Sequence, residues 1–377
     1  MSFRYPLSPL EVPEDDVQAV VACLAEGWLT MGPRTQALEG ALADQLGAPS
    51  VACVSSGTAA LHLACRAVGL EAGDEVVVPS FAFVAAAAAV RATGGIPVFC
   101  DVASVQEPNA DVAAVEARIT DRTRAVVAVH LCGYPSDVAA LRDLCDQRGL
   151  ILIEDAAQAI AATVTADGAG AGTVGHLGCL SFSPDKQLVV GEGGAVITAD
   201  ADMEAKVRSL RSHAMTSVTW DRHRGYAQSY DVVDVGYNFR MDEPRAALGL
   251  ARLPRLAADV ERRRAAAAVY RERLAGVDGV ELLWDDDAVR AGSHSAFPLL
   301  AADREARDRV CDQLAEAGIQ TKRYPAVHRF DAYREFSGDQ ALPVTEEVAD
   351  RLFCLPMAAT LEDTDLDTIA EEVARLA

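Results

Sequence analysis

Between residues 51 and 199, short apolar runs alternate with segments patterned as helices, and nothing else in the chain restricts the fold as strongly. VACV is followed by TAALHLACRAVGL, VVVPS by FVAAAAAVRAT, IPVFC by DVAAVEARI and AVVAVH by DVAALRDLCDQRG; LILIED, CLSFS and AVITA complete the series. Apolar runs of this length separated by helices predict a mostly parallel seven-stranded sheet with helices on both faces. In such sheets ligand sites gather at the carboxyl ends of the strands.

The pattern changes after residue 200. An Arg-rich helical stretch leads to a polar and aromatic segment from Ser212 to Tyr237, then to a helical run from Glu243 to about Gly276, interrupted at Pro254. Beyond 277 the apolar runs VELLW and SAFPLL alternate with amphipathic segments at 304–318 and 363–377, which predicts a smaller C-terminal α+β domain. The expected division is 1–245 for an N-terminal arm and large domain, and 246–377 for a connecting helix and small domain.

Composition removes several classes of function. Thirty-four basic against 56 acidic residues leave a net charge of −22, a field that repels a phosphate backbone and argues against nucleic acid. The longest apolar run, Phe81 to Val90, is half of the ~20 residues that a membrane span needs. The first residues lack a basic and apolar leader, so the expected location is the cytoplasm. Nine scattered cysteines without a C-x-x-C pair read as reduced thiols, with neither a disulfide framework nor a metal site. Only Lys186, Lys206 and Lys322 are lysines, so arginine supplies 34 − 3 = 31 of the basic residues. A lysine in such a chain draws attention to what an amine does and a guanidinium cannot: lose a proton and attack a carbonyl.

Four motifs carry chemistry. Gly170, Gly172 and Gly175 match G-x-G-x-x-G, but they begin well after LILIED and run into another strand, which is the wrong context for a dinucleotide. Ser56-Gly57-Thr58 comes after a strand and opens a helix, as a phosphate cradle or as an ordinary serine cap; His62 in that helix reads as packed. Asp155 ends a buried strand and needs either a cation or a capping role. Lys186 lies in a loop that leaves one strand and closes with GEGG before the next. An amine, a strand-end carboxylate and a phosphate cradle are what a pyridoxal phosphate site requires.

Taken with GWLTMGP at 27–33, SSGTAALHL at 55–63, GDEVVVPSFAFVA at 73–85, HLCGYPSD at 130–137, IEDAAQA at 153–159, GCLSFSPDKQLVVGEGGAV at 178–196, GYNFRMDEPRAA at 236–247 and YPAVH at 324–328, the chain resembles the DegT-type sugar aminotransferases over nearly its whole length. The resemblance implies pyridoxal-phosphate fold type I and pyridoxal 5'-phosphate as cofactor. It implies Lys186 as the Schiff-base lysine, Asp155 as partner of the pyridine nitrogen, Gln158 beside the ring hydroxyl and Phe83 on the ring face. Ser56, Gly57, Thr58 and Ser181 would hold the phosphate, with Asn238 arriving from the second subunit of a homodimer whose active sites are shared. Cys132 departs from the pattern, standing where family members often carry an aromatic.

The activity implied is transfer of an amino group from L-glutamate to a nucleotide-linked keto-sugar. Ser56, in place of an asparagine at the phosphate turn, points to C4 of a 6-deoxyhexose. Arg222, Arg224, Arg240 and Arg323 are candidates for the diphosphate, and Thr30 and His328 for other substrate contacts. A keto-cyclitol aminotransferase is the rival within the enzyme class. A non-catalytic relative is the rival outside it, and the joint presence of Lys186, Asp155 and Gln158 argues against that.

Overall fold

The computed structural model describes residues 3–216, 229–338 and 341–377. The seven predicted strands are present: β1 (Val51–Val54), β2 (Glu75–Pro79), β3 (Ile96–Cys100), β4 (Thr123–Val129), β5 (Ile151–Asp155), β6 (Leu177–Ser181) and β7 (Gly194–Ile197). They form one sheet in the order β1-β7-β6-β5-β4-β2-β3. Every pairing from β6 across to β3 is parallel, whereas β7 runs antiparallel to both β1 and β6.

Side chains on a strand alternate between faces, and the cores follow that period. Val76, Val78, Ala125, Val127, Val129 and Ile153 pack with the helices Gly57–Val68, Ala85–Ala92 and Ala201–Leu210. Val77, Val126, Ala128 and Leu152 face the opposite way, against Val112–Glu116 and Val138–Arg148. Covering on both faces is why these strands read as unbroken apolar runs.

The C-terminal unit holds a second, antiparallel sheet, in which β9 (Phe297–Ala301) lies between β8 (Val280–Leu282) and β10 (Leu352–Leu355). Only β8 and β9 were expected; β10 is a four-residue run directly after the helix Pro343–Arg351. The long helical run breaks as its proline suggests, into Glu243–Arg252, a short turn at Leu253–Arg255, and Leu256–Leu274. The N-terminal segment joins this unit: Tyr5 N donates to Gly318 O at 2.9 Å, Gln320 N to Tyr5 O at 2.9 Å, and Met357 N to Leu7 O at 3.0 Å. Phe81, Leu131, Cys132 and Tyr134 share one apolar cluster with the small sheet, so this unit sits on the carboxyl edge of the large one. Among the described residues no helix is long and apolar enough to cross a membrane.

The glycine motif at 170–175 has a structural purpose. Gly172 N and Val174 N donate to the Glu154 carboxylate at 2.8 and 2.7 Å, Gly175 N donates as well, and His130 Nε2 lies 3.0 Å from Glu154 Oε2. The His130 Nδ1 accepts from Ser136 N at 3.1 Å, which leaves the ring proton on Nε2, facing Glu154. The amides that would cradle a phosphate in a dinucleotide enzyme cradle a side chain here. Burial alone would raise the Glu154 pKa, but the His130 bond and the amides outweigh it and lower the value. A carboxyl with a lowered folded pKa adds stability that is complete above its ordinary value and is lost as pH falls through the folded one. Glu154→Leu should cost about 3–5 kcal/mol in denaturant unfolding, since it strands His130 and the amides. Its acid-unfolding limb should also be flatter than that of the parent.

Candidate active site

The carboxyl edge of the sheet opens into a cavity of about 260 Å³. Ser56 comes to it from the end of β1, Phe83 from the segment after β2, Asp155 from the end of β5, Ser181 from the end of β6, and Lys186 from the loop between β6 and β7. Gly57, Thr58 and Gln158 also stand on its walls. Expected cofactor contacts separated by up to 130 positions in the chain (186 − 56) therefore face one space, and Asn238 alone among them lies elsewhere.

The phosphate turn depends on close backbone approach. A Cβ on Gly57 would lie 2.8 Å from Ser181 Cβ, and one on Gly194 would lie 2.6 Å from Leu180 O and 2.7 Å from Gly57 N. Ser56 caps the next helix, its Oγ accepting from Ala59 N at 3.1 Å, so the cap reading of this serine holds and its hydroxyl proton remains available to a ligand. The first turn of a helix leaves amides without intrahelical acceptors, which favours an anion at this end.

Asp155 is 6 % exposed and has no ion-pair partner among the described residues. Its Oδ1 accepts from Ala157 N at 3.1 Å. Burial raises its pKa, against the pull of that amide and of Lys186. A buried carboxylate that faces an open cavity and has no ion-pair partner among the described residues is the partner that a protonated pyridine nitrogen needs. Lys186 is also largely buried, and desolvation lowers its pKa against the opposing effect of Asp185, 3.0 Å away.

Gln158 is held by its Oε1, which accepts from Cys132 N at 3.0 Å and lies 3.4 Å from both Tyr324 Oη and Ser295 Oγ. Cys132 thus contributes through its amide, from a backbone with φ of 55°. The Phe83 ring is 55 % exposed above the cavity, where a flat ligand would cover it.

Asn238 is exposed and lies outside this cavity. Its neighbours explain its direction: Tyr237 and Phe239 turn inward, with ring centroids 4.6 and 5.6 Å from that of His62, so the residue between them faces out. His62 is packed, as its apolar neighbours in the sequence suggest. Thr30 and Arg240 are half-buried away from the cavity wall. The Arg323 guanidinium is engaged by Asp308 and Asp312 at 3.2 and 3.3 Å on the surface. His328 is buried between Ser80 Oγ at 2.7 Å and Glu346 Oε1 at 3.2 Å, where it ties the C-terminal unit to the end of β2. Arg222 and Arg224 lie outside the described residues.

Five polar or aromatic cavity residues escaped sequence reasoning: Ser183, Asp185, Glu192, Lys322 and Tyr324. Lys322 Nζ lies 3.2 Å from Asp185 Oδ2 and 4.7 Å from the Tyr324 ring centroid. The scarcity of lysine was the signal that pointed to it.

The residues fit pyridoxal phosphate on three structural grounds: a helix N-terminus that glycine keeps open, a buried carboxylate with no ion-pair partner among the described residues, and a desolvated amine on the same cavity. Fold and site together define a pyridoxal-phosphate aminotransferase of fold type I. The profile of the DegT/DnrJ/EryC1/StrS aminotransferase family matches residues 11–374, and the chain belongs to that family. It is 39% identical over 378 residues to a UDP-N-acetyl-3-dehydro-alpha-D-glucosamine 3-aminotransferase of Acidithiobacillus ferrooxidans, covering 100% of this chain and 96% of that one. It is 36% identical over 364 residues to a dTDP-4-dehydro-2,3,6-trideoxy-D-glucose 4-aminotransferase of Saccharopolyspora spinosa, covering 95% and 93%. The crystal structure of the aminotransferase TlmJ from Streptoalloteichus hindustanus superposes with a TM-score of 0.90 at 34% identity, covering 99% of this chain and 98% of that one. The protein is a sugar transaminase.

Asp155→Asn should retain the fold and slow both half-reactions by several orders of magnitude, each ~1.4 kcal/mol of lost transition-state stabilisation being tenfold in rate. Because burial raises the Asp155 pKa, its charge works against the cofactor-free fold at neutral pH. The cofactor-free variant should therefore melt above the cofactor-free parent, while its affinity for the cofactor falls. Calorimetry with and without pyridoxal phosphate checks both directions.

Proposed function

We propose that the protein transfers an amino group from L-glutamate to C4 of a nucleotide-linked 4-keto-6-deoxyhexose, in a homodimer whose active sites are shared. The observation that carries the transaminase chemistry is the convergence of Lys186, Asp155 and the Ser56–Thr58 turn on one cavity. Bound pyridoxal phosphate would supply an aldehyde and an electron-withdrawing ring that take up an amino group and release it to a ketone. The amides and hydroxyls of residues 56–58, with Ser181, would hold the phosphate, and Phe83 would cover one ring face. Asp155 would hold a proton on the ring nitrogen. Lys186 Nζ would take the proton from the α-carbon of the donor and return it on the far side of the transfer, as base and then acid. Its burial favours the neutral amine that this cycle starts from.

The Ser56-Gly57 turn and the similarity to a dTDP-sugar 4-aminotransferase support amination at C4. Amination at C3 is the second reading, favoured by the 39% identity to a UDP-sugar 3-aminotransferase. L-Glutamate alone should convert the yellow aldehyde form to the amine form, and a nucleotide-linked 4-keto-6-deoxyhexose should restore the aldehyde absorbance. Restoration by a 3-keto sugar nucleotide alone would move the reading to C3, and restoration by a keto-cyclitol alone would refute both.

The outward direction of Asn238 supports the shared site. Mixed dimers of Lys186→Ala and Asn238→Asp chains at limiting cofactor should regain activity that neither homodimer shows. In such a dimer the Asn238→Asp chain keeps its own lysine and receives an intact asparagine. No gain after confirmed subunit exchange, with a demonstrably weakened Asn238→Asp homodimer, would exclude sharing.

A further inference from the structure

We propose that Asp185 and Lys322 form a charge-compensating couple that sets the proton affinity of Lys186, with Lys322 as a positioning residue for the reacting amine. The inference rests on the reading of Lys186 as the cofactor lysine.

The geometry places one carboxylate between two amines. Asp185 Oδ1 lies 3.0 Å from Lys186 Nζ, and Oδ2 lies 3.2 Å from Lys322 Nζ. Ser183 Oγ donates to Oδ1 at 3.2 Å and holds the carboxylate in this orientation. Lys322 belongs to the other unit, pinned there by Lys322 N to Cys354 O at 3.1 Å and Cys354 N to Lys322 O at 2.8 Å. Two of the three lysines of a chain otherwise charged by arginine thus meet at one acid.

The amine of Lys186 must shed its proton to react, yet a carboxylate dedicated to it would hold the ammonium. Sharing removes that conflict. When Lys186 becomes neutral, Asp185 keeps Lys322 as its partner, so this half-buried carboxylate is not left unpaired. The Lys322 charge also repels a proton on Lys186. Burial opposes the charge of Asp185, but the two ammonium groups outweigh it and hold this carboxyl well below the usual range, so it stays ionised throughout.

Other groups also face Lys186. Asp155 approaches from the end of β5, Glu192 from the glycine loop, and Tyr324 from the C-terminal unit. Behind the loop, a second cavity that Lys186 also lines is bordered by Glu11 and Asp259 and by Arg252, Arg255, Arg262 and Arg263. Among these, Asp185 is the acid in direct contact with the amine.

The test uses the full chain carrying pyridoxamine 5'-phosphate, in which Lys186 has no covalent bond to the cofactor. Trace acetylation with labelled acetic anhydride across pH, read peptide by peptide against the exposed Lys206, reports the Lys186 midpoint. Asp185→Asn should lower that midpoint and Lys322→Met should raise it, each by about one unit or more, as expected for charges at such range. Lys322→Arg should stay near the parent. Shifts of equal sign, or no shift in either variant, would overturn the couple. If Lys322→Met fails to retain cofactor, Lys322→Gln replaces it under the same criterion. Borohydride reduction of the pyridoxal form keeps the two readings apart: cofactor fixed to a lysine other than Lys186 refutes the cofactor assignment, whatever the midpoints show.

Discussion

The buried Glu154 carboxylate ties the functional edge of the sheet together. It receives amides from the loop at 172–175 and the imidazole of His130, so it joins the end of β4, the strand β5 and the chain entering β6. Its neighbour Asp155 points the other way, as strand alternation requires, and therefore meets the cavity. One residue is a structural anion paired within the protein; the next faces the cavity with no ion-pair partner among the described residues. The difference arises from which face of one strand each occupies.

Most of the large sheet was legible from residues because its strands are covered on both sides and so appear as continuous apolar runs. VVV at 76–78 and AVVAV at 125–129 leave no other interpretation in a chain whose intervening segments are helical. The direction of β7 was less accessible. GAVI has the composition of a parallel strand, and its antiparallel course is imposed by the return of the loop that precedes it. In the small unit, LFCL was overlooked because four residues placed directly after a helix carry no period of their own.

The site divides along the same line. Lys186, Asp155 and the Ser56 turn stand where a strand gives way to a loop or helix, and sequence context there limits their possible roles. Lys322 and Tyr324 reach the cavity from a segment whose position depends on docking of the small unit, and no local pattern encodes that docking. Asp185 was in view beside Lys186, but its significance comes from a residue 137 positions away. Arg323 shows the converse: a charge attractive for a diphosphate in the linear chain is already occupied by Asp308 and Asp312 once the helix Arg304–Glu316 forms.

The loop bearing Lys186 is closed at both ends. Phe182 N donates to Gly193 O and Val190 N to Phe182 O, each at 2.9 Å, so residues 183–189 form a small ring with Lys186 at its midpoint. A ring of fixed circumference cannot absorb an inserted or deleted residue by sliding along the sheet. Either change would displace the amine by a substantial part of a residue length, ~3.3 Å in extended chain. Divergence within this loop is therefore confined to exchanges of side chain at constant length. A carboxylate beside the lysine, as at Asp185, is the kind of exchange such a ring permits.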